Sequence, residues 1–326
     1  MKPLDYNSPA ETSRVLFRLP LLLSLFLCLF GSMSISAEPL RIMASIKPLA
    51  LMVEAVAGEH ATVNILVKPG QTPHDFAFKV SDRQKLSQAD LLVWVGADLE
   101  PYLSALAGGQ PSLSMAHVLD ARLPADDSQE SEEGHDRGHH HGSDNDLDSS
   151  EAHKHSSHAH GDQHFWLNPD YGVAMIRALA EQLTALDPVH QQDYQRNAEQ
   201  VIKQLDALLA TSMKSPVQQP RQYAVVHRAY DHFLMYFQYP EPLVLTPVPE
   251  ISPGARQLWR VSQQLQHGDC LLVDSSAPAR WVDTFSRRNQ LSLKQVDIMG
   301  YGDGVGTYLS LLGGVIRVFD ECARAK

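Results

Sequence analysis

The chain has 326 residues, 44% of them hydrophobic, and a formal net charge of −11 with histidines neutral. That length accommodates two lobes with ample cores. The acidic balance argues against nucleic acid or an anionic membrane surface as partner, although much of the acid is concentrated in residues 126–151.

The first 37 residues read as targeting rather than fold. Arg14 and Arg18 flank the start of an apolar run, "VLFRLPLLLSLFLCLFG", and small residues follow up to Ser36-Ala37. This is the pattern of a secretory signal peptide over 1–37, cleaved near Ala37. An uncleaved anchor is the alternative, but the run is short and interrupted for a membrane span. Leu27, not a small residue, precedes Cys28, which argues against lipoprotein attachment. Export leaves two cysteines, Cys270 and Cys322. In an oxidising compartment a lone pair usually forms a disulfide; a metal-ligating thiolate pair is the other reading.

After the signal, apolar runs alternate with helical patterns. "LRIMAS", "ATVNILV" and "DLLVWVG" read as strands, the last apolar on both faces. "KPLALMVEAVAGE" reads as a helix ended by Gly58, and "SDRQKLSQA" as a short helix capped by Ser81. This rhythm predicts a parallel sheet covered by helices. Residues 126–163 break it. With almost no large apolar side chain they cannot offset their ordering entropy, and disorder without metal is expected. "NPDYGVAMIRALAEQLTALDP" resumes the helical pattern, and a longer helix follows over 188–214 with Pro188 in its first turn. At ~1.5 Å per residue it would span about 40 Å, enough to join two lobes rigidly. The second half repeats the rhythm: "QYAVVH", "PLVLTP", "CLLVDSS" and "LKQVDIM" as strands, and "SPGARQLWRVSQQLQHG" as a helix with Ser252 as cap and Gly268 past its end. The expected fold is α/β: two Rossmann-like lobes, each a mostly parallel sheet with flanking helices, joined by one long helix. The expected division is an N-terminal lobe over 38–187, a linker helix over 188–214 and a C-terminal lobe over 215–326.

Three histidines lie where α/β lobes present ligands, near strand ends. His74 is in the loop after the second strand, His164 in "DQHFWLNP" and His227 at the end of "QYAVVH". Three neutral imidazoles suit zinc and leave one position open. Asp297, ending "LKQVD", is the carboxylate best placed to fill it. Spacing alone is not diagnostic, because no H-E-x-x-H or C-x-x-C is present. Taken singly, a loop histidine is usually solvated or hydrogen-bonded rather than a ligand. His60, His117, His190, His232 and His267 read as ordinary surface or helix histidines.

Taken together, "MASIKPLALMVEAVAG", "HDFAFKVSDRQKLSQADLLVWVGADLE", "HFWLNP", "VVHRAYDHF" and "EISPGARQL" resemble the periplasmic zinc-binding proteins of ABC importers. These are the cluster A-I solute-binding family, and the ZnuA group within it is the most similar. The resemblance runs from about Leu40 to Cys322. It implies two α/β lobes bridged by one long helix, with the metal between them, and a membrane permease as partner. It carries the metal ligands onto His74, His164 and His227, the second-lobe carboxylate onto Asp297, and a disulfide onto Cys270 and Cys322. It implies no catalysis and a monomer. The chain departs from some zinc members at Pro73, where they carry a glutamate; Asp297 or water must then complete the shell. Manganese members have a carboxylate where this chain has His227, so three imidazoles favour zinc.

The tract from Glu132 to Pro169 holds nine of the sixteen histidines. Apart from His164, these are His135, His139, His140, His141, His153, His155, His158 and His160, read as weak, overlapping auxiliary metal sites. The tract would capture zinc and pass it on, or report its abundance; a solubilising spacer is the plain alternative. Three rival readings of the whole chain remain. One is a Mn²⁺ or Fe²⁺ receptor of the same family. Another is a zinc hydrolase using Glu250 or Asp75 as base. The third is a surface adhesin or metal store.

Overall fold

The computed structural model describes residues 38–121, 161–212, 221–274 and 280–323. The signal reading of residues 1–37 and the eight auxiliary tract histidines, His135 to His160, lie outside the described residues. Among the described residues no helix is long and apolar enough to cross a membrane.

Two four-stranded, all-parallel sheets organise the chain. The first contains β1 (Leu40–Ala44), β2 (Ala61–Ile65), β3 (Leu91–Trp94) and β4 (Ser112–Ser114), in the order β2-β1-β3-β4. The second contains β5 (Tyr223–His227), β6 (Leu243–Thr246), β7 (Cys270–Asp274) and β8 (Ser292–Val296), in the order β6-β5-β7-β8. Each order reverses direction once, at β1/β3 and at β5/β7. Such a reversal opens a crevice at the carboxyl ends of the strands, where α/β sheets bind ligands. The central strands β3, β5 and β7 are buried at every residue, as parallel strands covered on both faces must be.

Helices follow from local chemistry. α1 (Lys47–Ala57) starts with proline in its first turn and ends at Gly58, whose φ of +58° is open to glycine at little cost. α2 (Val80–Leu86) is capped two residues before the expected cap, Ser81. Lys79 is its N-cap, with its N–H donated to Asp82 Oδ2 at 3.0 Å, because an acidic residue at the third position satisfies the free end of the helix. α3 (Pro101–Ala107) and α4 (Met115–Asp120) complete this half. α5 (Pro169–Leu186) is capped by Asn168, whose side-chain oxygen accepts from the N–H of Asp170 at 2.9 Å. α6 (Gln191–Ser212) has 22 residues, about 33 Å. It buries Tyr194, Ala198, Val201, Leu205 and Leu209, a stripe at three- and four-residue spacing. The second half adds α7 (Asp231–Phe237), α8 (Ala255–Ser262), α9 (Arg280–Asn289) and α10 (Tyr308–Ala323). Ser252 is not the cap of α8: extended Gly254 holds that place without a side-chain bond, and Gly268 serves the turn into β7 at φ +86°.

α6 packs on α1 and α5 on one side and on α10 on the other, so the long helix joins the lobes. One continuous apolar core runs through both, from Ile42, Trp166 and Leu205 to Tyr230 and Phe319. Cys270 and Cys322 form a disulfide that fastens the end of α10 to the start of β7.

Glu100, at the N-cap of α3, is fully buried, and its Oε2 accepts the Val95 N–H at 2.7 Å. Burial pushes its carboxyl up to about 7, against the pull of its hydrogen bonds. The unfolded chain ionises near 4.5, so the folded state binds more protons between about 4.5 and 7 and stability falls as pH rises through that window. Glu100→Gln removes the ionisation. It should raise stability by on the order of 2–3 kcal/mol at pH 8 relative to the same comparison at pH 4.5. Thermal unfolding at both pH values checks this; an equal difference at the two would refute it.

Candidate metal centre

Three segments far apart in sequence meet at the carboxyl ends of the two sheets. His74 lies in the loop after β2 and is half-buried. His164 is 3% exposed and stands just before a turn of 3₁₀ helix, Phe165–Leu167. His227 is the last residue of β5 and 1% exposed. Their ligating nitrogens all lie within 4.8 Å of one another. His74 Nε2 and His164 Nε2 are 3.4 Å apart. Two imidazoles bound tetrahedrally to one zinc at ~2.0–2.1 Å would stand ~3.3 Å apart, so this pair is already at ligand spacing.

The "HFWLNP" segment is rigid for visible reasons. Trp166 is completely buried and donates its indole N–H to Ile298 O at 2.8 Å, while Tyr308 Oη donates to Trp166 O at 2.8 Å. Asn168 caps α5 and also donates to His232 O at 3.3 Å. The ligand-bearing turn is therefore bound to the second lobe on two sides.

Two buried carboxylates stand behind two of the rings. Asp162 Oδ1 lies 2.5 Å from His164 Nδ1 and accepts the His164 backbone N–H at 2.9 Å. Burial alone would raise the Asp162 carboxyl, but the neighbouring His164 outweighs it and holds the group down at about 2, so it is ionised. Asp274 Oδ2 lies 2.8 Å from His227 Nδ1, an electrostatic contact rather than a well-aligned hydrogen bond. This pairing follows from register: Val225 is opposite Leu272, so two residues on His227 meets Asp274 at the ends of adjacent strands. His227 Nε2 is buried without a protein partner, which leaves it available to the cluster. For His74, burial and then the His164 and His227 rings push its pKa down to about 3, so its lone pair is free across the physiological range.

The sequence reading missed both carboxylates. Asp162 stands two residues before His164, and Asp274 ends a strand beside that of His227; a D-x-H pair and a second strand-terminal acid were the available signals.

Asp297 is not brought into this cluster. It follows β8, and its Oδ1 accepts the N–H groups of Met299 at 3.2 Å and Gly300 at 2.7 Å, while Oδ2 accepts that of Gly302 at 2.5 Å. A Cβ on Gly302 would come within 2.9 Å of that oxygen, so glycine there keeps the loop wrapped on the carboxylate. The same loop reaches the first lobe: Tyr301 Oη donates to Val67 O, and Lys47 Nζ donates to Val305 O at 3.3 Å. Of the described residues of that stretch, His164 stands in the cluster; the auxiliary histidines of the tract lie outside the described residues.

This arrangement can bind a divalent cation through nitrogen in a buried, negatively biased pocket. The comparisons with known proteins agree. The family model described as "Zinc-uptake complex component A periplasmic" matches residues 42–322. The high-affinity zinc uptake system protein ZnuA of Yersinia pestis is 31% identical over 299 residues, covering 87% of this chain and 91% of that protein. Among solved structures, the periplasmic zinc-binding protein TroA of Treponema pallidum superposes with a TM-score of 0.68 at 18% identity, over 89% of this chain and all of TroA. FpvC of Pseudomonas aeruginosa, solved with Mn²⁺, gives a TM-score of 0.64 at 22% identity, over 87% of this chain and 99% of its own. The family consists of solute-binding proteins rather than enzymes, and the match over nearly the whole described chain, on this fold and around this cluster, makes the chain a member of the ZnuA family of periplasmic metal-binding proteins.

Proposed function

We propose that this protein is exported by its N-terminal signal, captures Zn²⁺ between its lobes with His74, His164 and His227, and delivers it to the permease of an ABC importer. The observation that carries this reading is the convergence of three imidazole nitrogens from three distant segments within 4.8 Å. An all-nitrogen cluster favours zinc over manganese, whose harder ion prefers oxygen. The zinc-uptake relative from Yersinia pestis points the same way. The lobe boundaries at 38–187 and 215–326, with 188–214 between them, are part of the same reading. So is the fourth position, which Asp297 or water would fill.

The tract over 126–163 would supply weaker auxiliary sites that collect zinc for the buried one. An imidazole- and acid-rich segment without apolar anchors must order itself to wrap an ion, which lowers its affinity.

Metal competition tests the reading. Apo protein offered equimolar Zn²⁺, Mn²⁺ and Fe²⁺ should retain one tightly held Zn²⁺, and a variant lacking residues 126–161 should keep that ion while losing the weaker ones. Preferential retention of Mn²⁺ or Fe²⁺, or loss of the tight ion with the tract, would overturn the respective part.

A further inference from the structure

A buried dication needs negative charge close by, and the cluster itself contains none. Asp297 accepts three N–H groups of its own loop. Asp162 and Asp274 are the acids that act on the cluster. Their side chains are each 1% exposed, one against His164 and one against His227, and both also act electrostatically on His74.

We infer that Asp162 and Asp274 form a paired outer shell that neutralises the bound dication, with Asp162 also positioning His164 and linking it to the His227 side of the site. This rests on the zinc-receptor reading above. With three neutral imidazoles, two carboxylates balance one dication, so no carboxylate need touch the metal. The Asp162–His164 contact turns Nδ1 outward and Nε2 toward His74, which fixes the tautomer that binds metal. Asp162 Oδ2 also accepts the N–H of Asp231 at 2.8 Å, and its backbone oxygen lies 2.7 Å from His232 Nε2. Those two residues open α7, which follows His227 after a short turn. Two ligands from opposite lobes are thus held in register through one aspartate.

The test uses the mature protein and its Asp162→Asn and Asp274→Asn variants, titrated with Zn²⁺, Ag⁺ and Co²⁺. Asparagine keeps the shape and removes the charge. Zn²⁺ affinity should fall about 10–100-fold in each variant. Ag⁺ carries half the charge, and Coulomb attraction scales with charge, so its loss should be roughly 3–10-fold. The ligand-field bands of bound Co²⁺ should persist, showing that the three imidazoles still converge. Unchanged Zn²⁺ affinity in both variants would overturn the inference. So would equal losses of Zn²⁺ and Ag⁺, because a merely structural role displaces the rings for either ion. A wild-type protein that binds no zinc tightly would instead remove the receptor reading itself.

Discussion

Replacing His227 with alanine is expected to weaken zinc binding by about 10²–10³-fold, measured by titration against a competing chelator. The scale follows from structural zinc sites, where about 10–16 kcal/mol of apparent binding is shared among four ligands, or roughly 2.5–4 kcal/mol for each. His227 should stand at the upper end of that range. It is 1% exposed, at the end of a fully buried strand, so no water-rich space exists to supply a replacement ligand easily. Its removal also takes the ring away from the buried Asp274 carboxylate. The metal-free fold should therefore lose stability as well, since a buried imidazole–carboxylate contact and the packing of the ring are lost together. His74→Ala offers the contrast: the ring is half-buried in a loop, and water can enter its place. Zinc affinity in His227→Ala within threefold of the parent would refute ligation by this residue.

Removing the disulfide should have the largest effect on stability. Cys270 and Cys322 are 52 residues apart. Freeing a loop of that length restores chain entropy to the unfolded state worth about 4 kcal/mol in the chain-entropy model. A Cys270→Ser/Cys322→Ser protein should unfold at a temperature lower by roughly 8–15 °C, at about 2–4 °C per kcal/mol for chains of this size. The loss should be specific to the second lobe, because the bridge ties the end of α10 to the first residue of β7. Zinc should recover part of the stability, since a ligand that binds only the folded state adds its own binding free energy. A variant that melts with the parent would show that the bridge constrains little.

Local pattern carried much of the fold. The strands β1, β2, β3, β5, β6, β7 and β8 coincide with short apolar runs bounded by turn residues, and α1, α5 and α6 with clear helical periodicity. α10 escaped because Gly313 and Gly314 interrupt its middle, although Tyr308, Leu311, Leu312, Val315, Ile316 and Phe319 form a buried stripe at helical spacing. β4 has three residues, too few for periodicity to register. Ser81 and Ser252 looked like caps because serine favours that position, but a cap is set by which backbone N–H groups are left free, and neighbouring residues held that place.

By itself the sequence determined the α/β rhythm and the long helix between two sheets, because each leaves a mark within a few residues: an apolar period, a run of helix formers. It offered the three histidines as candidates, which the family resemblance drew together. Only the tertiary structure decided what surrounds those histidines. It joined Asp274 to His227 through the register of neighbouring strands and set Asp162 between His164 and the start of α7. Those relations depend on segments tens of residues apart arriving at one place; a D-x-H pair or an acid at a strand end marks a candidate, but not the partner it will meet.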